Sequence, residues 1–115
     1  MSLVSYDLCC QTVTVYRFSR GKLQRLVVEG CYYAYEDRLG VEGFQRNFLL
    51  IMPGDCQRVF VGDRIYDGIG PEEVDWRSFV PAAVPGLGEV AYVRPWFYGG
   101  SMQHLEAGRK SKASL

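Results

Sequence analysis

The chain has 115 residues, 48% hydrophobic, 14% aromatic and 23% charged, and its 13 basic and 13 acidic side chains balance to a formal charge of zero. That length suits one domain with one core, and the composition excludes a disordered tail and a generally polycationic nucleic-acid binder. No apolar run approaches the roughly 18 residues of a membrane-spanning helix, and residues 1–10 lack the basic start and apolar stretch of a secretion signal, so synthesis in the cytoplasm and no membrane contact are expected.

Near the start, Cys9 and Cys10 are adjacent, and Cys31 and Cys56 follow without a C-x-x-C spacing. Neighbouring residues of an extended segment point to opposite sides, so the pair suits neither tetrahedral zinc nor an easy disulfide; free thiols acting as small hydrophobes are expected. Residues 12–18 and 22–29 form the clearest hairpin, turning at Arg20-Gly21 where glycine accepts positive φ, with Val13 and Val15 on one face. Gly30 marks a break before a third strand over residues 31–36, where Tyr33 and Tyr35 share one face and Tyr32 and Ala34 the other. Residues 37–43 read as a loop.

Residues 44–52 form the longest apolar strand, with Phe44, Phe48, Leu50 and Met52 alternating against Gln45, Asn47, Leu49 and Ile51. Pro53-Gly54-Asp55 ends it, and residues 59–61 lead through Gly62-Asp63 into a short strand over 64–67. Pro71-Glu72-Glu73 could open one helical turn, but Pro81, Pro85, Gly86 and Gly88 forbid a long element, so residues 71–88 read as a structured loop. A last strand over 89–94 stops where Pro95 interrupts the ladder or confines it to a sheet edge. The pattern predicts an all-β chain, a small single-domain β-barrel or sandwich of about five to seven strands with long loops. The domain is expected over residues 1–98, with residues 99–115 a partly flexible C-terminal extension. Residues 107–115 carry Arg109, Lys110 and Lys112 and no acid, leaving a body of net charge −3. That basic tail is either a solvated, fraying terminus or a segment that docks on a neighbour or approaches DNA.

No catalytic set emerges. His104 is the single histidine, and His104-Leu105-Glu106 has the H-x-E spacing of zinc deaminases without their P-C-x-x-C partner. Gly99-Gly100-Ser101 lacks the frame of a nucleophile elbow, and Gly68-Ile69-Gly70 lacks the lysine and helix of a phosphate loop. Glu72, Glu73, Asp75, Asp63 and Asp67 read as solvated loop carboxylates. The expectation is therefore a non-enzyme without cofactor or metal. Trp76, Phe79, Tyr92, Trp96, Phe97 and Tyr98 crowd the last third, as core or, where exposed, as a subunit interface. The candidate interface set is Trp76, Trp96, Phe97, Tyr98, Met102, His104, Arg109 and Lys110. The alternative is an OB-like module binding single-stranded nucleic acid through Tyr16, Arg17, Phe18, Arg20, Tyr32 and Tyr33, against which the charge balance argues.

Three pieces, Val13-Thr14-Val15-Tyr16-Arg17, Gly62-Asp63-Arg64-Ile65-Tyr66-Asp67-Gly68 and Tyr98-Gly99-Gly100-Ser101-Met102-Gln103-His104-Leu105-Glu106-Ala107-Gly108-Arg109-Lys110, occur in an order that resembles the phage and prophage minor capsid proteins of the head-tail connector. The resemblance implies a structural virion component, made in the bacterial host cytoplasm, that assembles as a ring between portal and tail. It implies portal, adaptor and tail-completion proteins as partners, passing contact with packaged DNA, and no catalytic role. A ring needs two different surfaces meeting head to tail. Residues 95–110 are expected to form one of them, so deleting residues 99–115 is expected to spare the fold and impair assembly.

Overall fold

The computed structural model describes residues 8–41, 43–54, 59–98 and 100–110. Its seven strands are β1 (Gln11–Ser19), β2 (Lys22–Gly40), β3 (Gly43–Pro53), β4 (Arg64–Asp67), β5 (Leu87–Glu89), β6 (Tyr92–Tyr98) and β7 (Ser101–Arg109). All pairings are antiparallel and the strand order is β5-β4-β1-β2-β3-β7-β6. The all-β expectation holds. β5 and β6 lie at opposite margins of the sheet, yet only Val90 and Ala91 separate them in sequence. The sheet must therefore roll until its margins approach, and Arg109 Nε of β7 donates to the Glu89 carbonyl of β5 at 3.0 Å. Among the described residues β5 and β6 do not pair, so the barrel stays unclosed.

The first hairpin forms as predicted: Ser19 pairs with Lys22 around Arg20 (φ 54) and Gly21 (φ 74), the two positive φ angles that a tight turn needs to match strand twist. Beyond it the sequence reading needs correction. Gly30 (φ 74) bends the chain without ending the strand, and β2 continues unbroken to Gly40, lending its first half to β1 and its second to β3. The expected loop over residues 37–43 is strand up to Gly40 and again from Gly43, with Glu42 outside the described residues, because Asp37 sits directly opposite Arg46 and the two side chains bind each other.

The C-terminal part is the larger correction. Residues 101–109 are not an extension but an interior strand, with β3 on one side and β6 on the other. Leu105 and Ala107 from this strand lie in the core. The expected strand over 89–94 is in fact the end of β5, a two-residue crossing and the start of β6. Pro95 is accommodated inside β6 because β6 is a margin strand, where a missing N–H can face outward.

Alternation along β1 builds two cores. Val13 and Val15 face the interior with Val28, Cys31, Tyr33, Phe48, Leu50, Met52, Ile65, Leu105 and Ala107. On the opposite face Tyr16 packs with Phe79 and Leu87, joined by Tyr66, Trp76 and Val84. The segment between β4 and β5 covers this second face without regular structure, so its carbonyls need donors from elsewhere. Three arginines supply them. Arg25 donates to the carbonyls of Gly70 and Pro71, Arg64 to those of Trp76 and Phe79, and Arg46 to those of Pro81, Val84 and Leu87.

Candidate assembly surfaces

β1 pairs with β2 only as far as Cys31, and β7 pairs with β3 only from Phe48 onward. The stretch between, residues 36–41 and 43–47, is a two-stranded arm that pairs with neither neighbour among the described residues. Its core-side face continues the line of Tyr33 and Phe48 outward through Tyr35, Asp37, Leu39, Phe44 and Arg46. At the root of the arm, Arg46 is 6% exposed and holds both oxygens of Asp37, at 2.6 and 3.0 Å. Its guanidinium lies 5.0 Å from the Tyr35 ring centroid and 5.1 Å from that of Phe44, within cation-π range. Hydrogen bonds from Arg46 hold the Asp37 carboxyl below its usual pKa, with desolvation opposing them and the Arg46 charge assisting. Toward the tip the apolar side chains are uncovered among the described residues: Leu39 is 85% exposed and Val41 fully so.

The other apolar surface lies at the far end of the same strands. Because Pro53 pairs with His104 and Phe48 with Arg109, β7 runs toward the arm, and the turn at Gly100 from which it starts lies beyond the opposite end of β3. At ~3.3 Å per residue the 11-residue β3 sets the two ends roughly 30 Å apart. Trp96 and Phe97 are exposed there, on the margin strand β6. The Trp96 ring stacks on the buried imidazole of His104, centroids 5.8 Å apart. Burial pushes the His104 pKa down, with Glu106 opposing the shift.

The eight residues singled out from the sequence therefore do not form one surface. Trp96 and Phe97 share the β6–β7 end, while Arg109 and Lys110 end β7 beside the root of the arm. Arg109 binds Glu89, and Lys110 is exposed. Trp76 belongs to the covering segment, stacked on Phe18 at 5.8 Å with the Arg64 guanidinium 3.8 Å from its ring centroid. His104 is interior. The backbones of Tyr98 and Met102 take part in the β6–β7 ladder, and their side chains lie outside the description. The reading missed Leu39 and Val41, which it placed in a loop, and Arg46, whose position in an apolar alternation was the available signal.

A cleft of about 220 Å³ opens beside the arm, lined by Phe44, Gln45 and Arg46 of β3, by Val80, Pro81 and Ala82, and by Glu89 and Arg109 at one end. Among the described residues no group of His, Cys, Asp and Glu is arranged to hold a metal ion. Cys9 is half-buried, Cys10 exposed and Cys31 buried, all as free thiols, while Cys56 lies outside the described residues. Of the aromatic platform considered for nucleic acid, Tyr16 and Tyr33 are buried, and Arg17 is held by both oxygens of Asp63. No helix among the described residues is long and apolar enough to cross a membrane. Compared with protein-family models, curated proteins and solved structures, the chain matches none.

Proposed function

We propose that the chain is a structural subunit of the phage or prophage head-tail connector, assembling head to tail as a ring between portal and tail. The observation that carries the assembly part is the pair of unlike apolar surfaces at opposite ends of one set of strands: Leu39 and Val41 at the arm tip, Trp96 and Phe97 at the β6–β7 end. Unlike surfaces on opposite ends give a heterologous contact, the kind that closes into a ring when the rotation between subunits divides a circle. A contact between identical patches would stop at a dimer. The connector part rests on the resemblance of residues 13–17, 62–68 and 98–110 to the minor capsid proteins.

In this reading the arm tip of one copy covers Trp96 and Phe97 of the next, and the roughly 30 Å between the two ends is the subunit's contribution to the ring wall. The portal, adaptor and tail-completion proteins then meet the two rims of the ring. The test is immunogold labelling of virions from the phage that encodes the chain. Label at the junction of head and tail supports the proposal, and absence of the chain from purified virions overturns it.

A further inference from the structure

We propose that the unpaired edge of β3 over residues 43–47 accepts an extended, acidic segment of a partner polypeptide as an added strand. The proposal concerns a single copy of the chain and does not depend on ring assembly. β3 has β2 on one side from Gly43 to Ile51, but on the other side β7 stops opposite Phe48, leaving Gly43 to Asn47 with backbone groups facing no strand among the described residues. The other margins of the sheet are guarded, apart from the free side of β2 beyond Tyr33, which has no cap of this kind among the described residues. β5 is three residues long, β6 carries Pro95, and at the free side of β2 the Gln11 side-chain amide both donates to and accepts from the Tyr33 backbone, at 3.0 and 2.9 Å. Short strands, proline and capping groups are the means by which sheet edges avoid unwanted pairing. The β3 edge has none of these, and a cleft runs along it instead.

The cleft specifies the occupant. Val80, Pro81, Ala82 and Phe44 give it apolar walls for the alternate side chains of an extended segment, and Gln45 gives it a polar one. Its charge is unbalanced at the Arg109 end: Arg46 and Arg109 line it with the carboxylate of Glu89, and while Arg46 has Asp37 to itself, Arg109 shares Glu89 with Arg64, which is not part of the lining. An added strand continuing the track of β7 enters where Arg109 ends it. A carboxylate there restores the balance, whereas a lysine meets like charge.

The probe is a short peptide of alternating valine and threonine with one central glutamate, titrated into the isotope-labelled full chain while backbone amide resonances are followed. Saturable shifts at residues 43–47 and at the Arg109 side-chain N–H are expected, with affinity about tenfold weaker or worse for the peptide carrying lysine in place of glutamate. Arg109→Gln is expected to bring the two peptides to similar affinity. Because the peptide comparison leaves the protein unaltered, it stands even if that variant folds poorly. Equal affinity for both peptides, shifts elsewhere on the surface, or no saturable shift overturns the proposal. So does binding seen only after the chain is ended at Lys110, which assigns the edge to the chain's own continuation.

Discussion

Replacing Arg46 by alanine tests whether the long covering segment is held by arginine donors. Arg46 donates to three carbonyls, those of Pro81, Val84 and Leu87, and to the carboxylate of Asp37. A protein hydrogen bond contributes about 1 kcal/mol net, so the three carbonyl contacts together contribute about 3 kcal/mol. Asp37 is 44% exposed, and the ion pair is discounted accordingly to at most about 1 kcal/mol. Arg46→Ala should therefore cost about 3–4 kcal/mol, a large share of the roughly 5–15 kcal/mol typical of a domain. Asp37→Asn, which spares the carbonyl contacts, should cost about 1 kcal/mol or less. Urea unfolding of both variants measures the difference, and amide exchange at Ala83 and Val84 should accelerate in Arg46→Ala alone. Equal costs for the two substitutions, or a cost below about 1 kcal/mol for Arg46→Ala, would refute the reasoning.

Deleting residues 99–115 should abolish cooperative unfolding, because it removes the strand between β3 and β6 together with Leu105 and Ala107; circular dichroism and urea titration check this. Gly108→Ala should cost about 2 kcal/mol or more, since a Cβ there stands 2.3 Å from the Phe48 carbonyl oxygen, while Gly40→Ala, in open space, should change stability by less than about 0.5 kcal/mol. Burial favours neutral His104, so the folded state binds its proton less readily than the unfolded one. The stability this provides is complete above the unfolded pKa of about 6.5 and is lost as pH falls through the lower folded value. Thermal melts from pH 7.5 to 5 should show a decline that His104→Gln removes over that window.

The parts of the fold readable from the sequence are those set by neighbours in the chain. The Arg20-Gly21 turn and the alternation at Val13 and Val15 come from local backbone and side-chain preferences, and both survive in the structure. The misreadings share a cause, that partners distant in sequence decide the outcome. Asp37 looks like a loop residue until Arg46 is placed opposite it. Residues 101–109 look like a polar, glycine-containing tail, yet Gly108 is required where β7 passes close to the Phe48 carbonyl and Tyr92. The aromatic cluster of the last third was visible as composition, but its division between the covering segment, with Trp76, and the β6–β7 end, with Trp96 and Phe97, is set by strand order.

Head-to-tail assembly is tested most directly by mixing two variants, each with one surface disabled: Val41→Glu at the arm tip and Phe97→Glu at the β6–β7 end. Light scattering coupled to size exclusion, run at high protein concentration, reads the mass. The account predicts that the unaltered chain grows beyond a dimer, that each variant alone is monomeric, and that their mixture forms a dimer and nothing larger, one intact tip seated on one intact end. A mixture that stays monomeric while the unaltered chain associates, or a variant that associates on its own as the unaltered chain does, would contradict it.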